Sequence, residues 1–172
     1  MNQTHRSATV VVSIILFVVG LFVGFKLLTA SADTFDAAPT CENRTVAEGE
    51  KLTSNLVTVN VYNASQRAGL ANRVGINLQR RGFLAGTVAN STSEVKPDAV
   101  AILTDDRDDP RVKLVAQQFD DVEYSEPDIK IADGVTVIVG DAYKELVEAP
   151  RDIEADRAIT VCVPTVDVDE SS

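Results

Sequence analysis

Val57-Thr58-Val59-Asn60-Val61-Tyr62, Asn63-Ala64-Ser65-Gln66-Arg67-Ala68-Gly69 and Leu70 to Arg81 closed by Gly82 form the stretch whose reading decides the fold. The first block alternates β-branched and polar residues, the pattern of a strand with one buried face. The second is a loop rich in turn formers. The third places Leu70, Ala71, Val74, Gly75 and Leu78 on one arc of a helix at 100° per residue. Arg73, Asn77 and Arg80 share the opposite side, and Gly82 supplies a left-handed stop. A strand, a loop and an amphipathic helix in that order imply a sheet covered by a helix.

Working outward, Phe83 to Ala89 reads as a second strand and Ala99 to Thr104 as a third. Asp109 followed by Pro110 starts a second helix to about Phe119: a side-chain cap, then a residue whose missing N–H costs nothing there. Val122-Glu123-Tyr124 reads as a short edge strand. After Asp133-Gly134, Val135-Thr136-Val137-Ile138-Val139 is a buried strand, and Gly140-Asp141 opens a short helical segment through Leu146. Ala158 to Val163 adds a strand carrying Cys162. The order β-α-β-β-α-(β)-β predicts an α+β domain, a two-layer α/β sandwich with a mixed sheet.

Val59-Asn60-Val61-Tyr62-Asn63, then Gly69-Leu70-Ala71-Asn72-Arg73, then Leu78-Gln79-Arg80-Arg81-Gly82-Phe83 resemble the opening block of the LytR C-terminal domain family. Val135 to Tyr143 is similar to that family's closing strand and turn. The resemblance spans Val57 to Leu146. Two departures stand out: the acidic Asp105–Asp109 run where relatives often carry an aromatic, glycine-rich turn, and an expected lack of room for the catalytic domain that often precedes this module in relatives. One apolar helix, one module and two flanking cysteines are similar to stand-alone actinobacterial envelope-integrity members. The resemblance implies a role in maintaining the cell envelope through wall-polymer or partner-protein binding.

The N-terminal part carries a separate signal. Ser7 to Phe25 is an uncharged, strongly apolar run of 19 residues. As a helix it reaches ~28 Å, close to the hydrocarbon thickness of a bilayer. Ala30-Ser31-Ala32 offers a signal-peptide cut, but the apolar run exceeds the usual ~7–15 residues of such a signal. Lys26 breaks the stretch before that cut and suits an interface anchor. The expected organisation is a cytoplasmic 1–7, a transmembrane helix over 8–28, a membrane-proximal linker over 29–55, an extracytoplasmic domain over 56–165 and a disordered acidic tail over 166–172. The expected location is the cell membrane, single-pass, with the C-terminal domain outside. Gly20 and Gly24 offer a close helix–helix contact for a homodimer, although glycine is common in membrane helices anyway.

The chain has 16 Lys+Arg against 26 Asp+Glu, a formal net charge of −10. Lys51 to Ser93 holds five basic residues and no acidic one; Glu94 to Ser172 holds eight basic and 21 acidic residues, a net of −13. So acidic a surface argues against nucleic-acid binding, whereas an anionic ligand beside the basic segment is compatible. Cys41 and Cys162 flank the domain. In an oxidising compartment a structural disulfide is expected, closing a loop worth ~4–5 kcal/mol in chain entropy; a redox pair would lie closer in sequence. His5 is the sole histidine, so the domain holds no Ser-His-Asp or Cys-His constellation and no histidine-ligated zinc.

The candidate ligand-binding residues are Asn63, Ser65, Arg67 and Gly69, in the loop that enters the first helix, with Arg73 and Arg80 on its exposed face. Helix-start N–H groups and guanidinium forks suit a carboxylate or phosphate. The plainer reading gives the loop residues to local turns and the arginines to solvent. The aspartate run lacks the spacing, glycine and glutamate of a calcium loop and reads as a solvated loop with a helix cap. Neither metal nor cofactor is expected, and no catalytic residue stands out. The resulting expectation is a non-enzymatic, membrane-anchored module binding peptidoglycan or another wall polymer, envelope proteins, or both. The alternatives are an accessory subunit presenting polymer to a separate transferase, or a carboxylate-based wall hydrolase.

Overall fold

A computed structural model describes residues 17–22, 41–130 and 132–164. The chain divides into two compact units, Met1–Thr40 and Cys41–Ser172. In the first, the described residues 17–22 are helical and exposed. No helix among the described residues is long and apolar enough to cross a membrane. The rest of the expected 8–28 span, Gly24 included, lies outside the described residues, as do 1–7, 29–40 and the 166–172 tail.

The second unit is an α+β domain built on a mixed five-stranded sheet. Its strands are β3 (Thr58–Asn63), β4 (Leu84–Asn90), β5 (Val100–Leu103), β6 (Glu123–Ser125) and β7 (Val135–Val139), in the spatial order β4-β3-β7-β5-β6. β7 is central and every one of its residues is buried, as a continuous run of β-branched side chains predicts. It runs parallel to β3, with Val59 opposite Val135, and antiparallel to β5, with Ile102 opposite Val137. β4 and β6 run parallel to β3 and β5 respectively.

Helix α1 (Leu70–Arg80) joins β3 to β4 and buries the predicted Leu70, Ala71, Val74, Gly75 and Leu78. Gly82, at φ 94°, ends it, and the Arg81, Gly82 and Phe83 amides return to carbonyls of the last turn. Helix α2 (Pro110–Ala116) begins as predicted, the Asp109 carboxylate accepting from the Arg111 amide at 2.8 Å. It stops three residues short of Phe119, because the Gln118 and Phe119 amides tighten onto Val115 and Ala116 carbonyls. Side chains of both helices join Val59, Val61, Val135, Val137, Val139 and Ile102 in one apolar cluster.

Asn60 is polar yet only 1% exposed, on the other side of β3 from Val59 and Val61. Its amide donates to the Asp133 carbonyl at 3.1 Å and its Oδ1 accepts from the Thr87 amide at 2.8 Å. It thereby mends the register break between β3 and β4. A Cβ on Gly86 would lie 2.4 Å from that Oδ1, so glycine is what lets the two strands close there.

Two expectations need correction. The linker placed over 29–55 is structured from Cys41 onward: β1 (Cys41–Val46) pairs antiparallel with β9 (Ile159–Pro164), and β2 (Lys51–Thr53) with β8 (Asp152–Glu154). A 3-10 turn, Ser54–Leu56, follows, and Val46, Leu52 and Leu56 enter the core. β1 is exposed except at Val46, so its sequence lacks the apolar alternation that would announce a strand. The helical segment expected from Gly140 to Leu146 is irregular chain instead. Two of its amides are drawn to distant strand-end carbonyls, Gly140 to Ala99 and Ala142 to Asp98, and only Tyr143 turns back locally, onto Gly140. The predicted Cys41–Cys162 disulfide is present, with Cα atoms 5.2 Å apart, and ties β1 to β9.

Candidate functional site

The loop between β3 and α1 turns at the C-terminal end of β3. Asn63 Oδ1 accepts from the Ser65 amide at 3.0 Å and from the Ser65 hydroxyl at 2.7 Å. Its Nδ2 donates to the Arg67 carbonyl at 2.9 Å, and Ser65 Oγ accepts from the Arg67 amide at 3.0 Å. The Gln66 amide donates to Asp141 Oδ1 at 2.9 Å. Gly69, at φ 73°, leads into α1 in the left-handed region that only glycine enters freely. Asn63 and Ser65 thus spend their hydrogen bonds on the loop that carries them.

Arg67 reaches across to the chain after β7. Its guanidinium donates to the Tyr143 carbonyl at 2.6 Å and toward that of Asp141 at 3.4 Å. Together with the Gln66–Asp141 bond, this staples the loop to residues 141–143. Those residues belong to the closing strand and turn of the sequence pattern, so the two blocks of that pattern meet in space. Arg73 and Arg80 stand exposed on α1, apart from this staple.

Arg80 borders a cleft of about 310 Å3 at the end of α1, lined also by Asn77, Arg81, Glu145, Leu146 and Arg151. Arg81 is half-buried and donates to Gln118 Oε1 at 2.8 Å and to the carbonyls of Val147 and Leu146. Gln118 is fully buried and donates in turn to the Pro150 carbonyl at 2.8 Å and to that of Leu114 at 3.3 Å. The Ser54 amide holds the Arg151 carbonyl at 2.8 Å. Residues 146–151 are therefore fixed at both ends, although they form no helix or strand. Arg81, Gln118, Arg151 and Asn77 were absent from the candidates read in the sequence. The one local signal was the helical wheel, which turns Arg81 100° from Arg80.

A second cavity of about 230 Å3 has Phe119 and Tyr143 among its walls and Asp120, Asp121, Lys144 and Glu145 at its edge. The two aromatic rings meet edge to face, with centroids 6.1 Å apart. Burial pushes the Tyr143 phenol above its ordinary range, against weaker opposing fields from Arg81 and Arg67.

The aspartate run is an ion-pair network. Asp109 takes a forked pair from Arg111, the closest contact 2.6 Å, while Asp106 pairs with Arg157. Lys113 joins Asp156 at 2.6 Å and Asp108 at 3.3 Å. The Arg157 hydrogen bond holds the Asp106 carboxyl below its ordinary value, and that of Lys113 does the same for Asp156. Among the described residues, no three Asp, Glu, His or Cys side chains are grouped to hold a metal ion.

Residues 56–143, just over half of the chain, match the profile of the LytR_C family, described as LytR cell envelope-related transcriptional attenuator. Comparison with curated proteins finds no match. The chain is similar to the soluble domain of a conserved hypothetical secreted protein from Mycobacterium marinum. Identity is 22%, with a TM-score of 0.46, over 60% of this chain and 70% of that one.

Proposed function

The chain belongs to the LytR_C family, and from that premise we propose a membrane-anchored, extracytoplasmic, non-enzymatic module that supports cell-envelope integrity. It acts by binding wall polymer, envelope proteins, or both. The observation that carries this reading is the family match itself, which spans β3 to Tyr143 and takes in α1, α2 and the stapled loop. The Cys41–Cys162 disulfide supports an oxidising location, since such bonds persist outside the cytoplasm. The apolar run Ser7–Phe25 supports a retained anchor over 8–28.

Anchoring gives the module its usefulness. A single membrane helix confines a small domain to the layer beside the bilayer, so weak contacts act at raised effective concentration. Of the six candidate positions, Asn63, Ser65 and Arg67 already serve the loop, and Gly69 provides its turn. Arg73 and Arg80 are left facing outward on α1.

The test is retention of the full-length protein, in detergent, on isolated wall material and on an envelope-protein fraction in parallel. Retention on either is the expected result; retention on neither refutes the reading. Membrane fractionation followed by protease treatment of intact cells checks the topology. The expected outcome is a membrane-bound chain whose C-terminal domain is cut from outside. A carbonate-extractable protein with reduced thiols would refute it.

A further inference from the structure

We propose that the cleft between the end of α1 and residues 145–151 is an oxyanion site, taking a phosphate or carboxylate borne by a wall polymer. The proposal rests on the reading of the chain as a wall-binding module and names the chemistry that module recognises.

Three guanidinium side chains border this one cleft, Arg80, Arg81 and Arg151, with Asn77 beside them as a neutral hydrogen-bonding group. The chain carries ten more acidic than basic charges, yet Glu145 is the only carboxylate residue in the lining. Among the described residues, the ion pairs engage Arg44, Lys51, Arg111, Lys113 and Arg157 and leave these three arginines out. Converging like charges repel, so such a cluster in an acid-rich domain calls for a reason beyond solubility.

Arg81 supplies the main argument. Its guanidinium is half-buried, and its hydrogen-bond acceptors are all neutral: the Gln118 amide oxygen and the carbonyls of Leu146 and Val147. These fix its orientation without neutralising its charge. A half-buried positive charge held in place by neutral oxygens is a preorganised partner for an anion. Arg151 is brought alongside by a different device, the Gln118–Pro150 and Ser54–Arg151 hydrogen bonds. Arg80 completes the set from the last turn of α1.

The plain alternative is that arginines at a helix end only complement its dipole. That dipole presents about half a negative charge, which one arginine offsets. A second arginine locked by three acceptors and a third from the far end of the domain exceed that need. A volume of about 310 Å3 admits a phosphate group or a sugar carboxylate with its ring, and guanidinium forks match both oxyanions.

The experiment uses the full-length protein in a neutral detergent, with inorganic phosphate, glucuronate and glucose as probes. It follows arginine Nε–H and backbone amide NMR signals of residues 77–81 and 145–151. Saturable shifts with phosphate, glucuronate or both, and none with glucose, are expected, and the oxyanion that binds tighter identifies the polymer class. Arg80→Gln combined with Arg151→Gln should weaken binding at least tenfold. The charge-matched pair Lys51→Gln with Arg107→Gln should change it less than twofold. Shifts scattered over the whole surface, equal weakening by both pairs, or no response to either oxyanion would overturn the site. So would retention on phosphatidylglycerol vesicles with none on wall polymer. Absence of binding by both phosphate and glucuronate with wall retention intact overturns this site alone, whereas retention of the unaltered protein on neither wall material nor the envelope-protein fraction overturns the broader reading.

Discussion

Replacing Arg81 by leucine should unravel the attachment of residues 144–151 before it harms the sheet. The side chain donates to Gln118 Oε1 at 2.8 Å and to the Val147 carbonyl, with a longer 3.3 Å contact to Leu146. A hydrogen bond to a charged group contributes about 1.5–3 kcal/mol, and an orphaned buried acceptor costs about 1–3. Gln118 is fully buried, so its Oε1 has no recourse to solvent once Arg81 is gone. Relief of the guanidinium's desolvation offsets part of the loss, leaving about 2–4 kcal/mol. For a domain of this size that lowers Tm by about 10 °C. Urea denaturation of the single variants and of Arg81→Leu combined with Gln118→Leu closes a double-mutant cycle. A coupling of about 1–2 kcal/mol is expected, because the two side chains share one hydrogen bond and one attached segment. Hydrogen exchange should quicken at Val147, whose amide bonds to the Gln118 carbonyl, while β7 amides stay protected. A loss below about 0.5 kcal/mol, or additive single effects, would refute the reasoning.

Gly140→Ala should be among the most damaging single changes, since the new Cβ would sit 2.0 Å from the Pro97 carbonyl oxygen and 2.5 Å from that of Asp98. A loss above about 3 kcal/mol or an insoluble product is expected; an unchanged melting curve would refute the close approach. Cys41→Ser with Cys162→Ser opens a loop of sequence separation 121, worth up to about 5 kcal/mol in chain entropy. A Tm fall of more than 10 °C is expected, with exchange rising first in the exposed β1; a fall under about 3 °C would contradict it. On acidification, four carboxyls should titrate below their ordinary values of 4.5 for Glu50 and 3.8 for Asp106, Asp128 and Asp156. The causes are, respectively, the Ala47 amide and then Arg44, Arg157, Ser93, and Lys113. Lowered folded-state values mean stability held above those ordinary values and lost as pH falls through the folded ones. Carboxyl 13C titration with midpoints at or above the ordinary values would count against these contacts.

The sequence was most legible where burial writes a period into it. β3 and α1 carried their alternation and apolar arc, Gly82 closed the helix, and the unbroken Val135–Val139 run marked the centre of the sheet. β1 and β8 were harder, because an exposed six-residue strand and a three-residue strand bury too few side chains to leave a pattern. The Gly140–Leu146 misreading has a related origin: the Gly140 and Ala142 amides bond to the Ala99 and Asp98 carbonyls, some forty residues away, which no local window contains. At the candidate site, Asn63-Ala64-Ser65 has one composition whether it grips a ligand or its own backbone. What separates the two is Arg67, bonded to carbonyls 74 and 76 positions away. Arg80 and Arg81 are identical neighbours with different duties, and only the position of Gln118 and residues 146–151 tells them apart.

The place of β7 has a kinetic consequence. β3, α1 and β4 can associate soon after synthesis, but β3's other edge waits for a strand whose pairing partner lies 76 residues onward, Val59 against Val135. β5 waits for that strand too. The keystone of the sheet is therefore the last of its five strands to leave the ribosome, and pairings so distant in sequence form slowly. Until it arrives β3 and β5 each present an unpaired edge, and the sheet has no centre to close its core around.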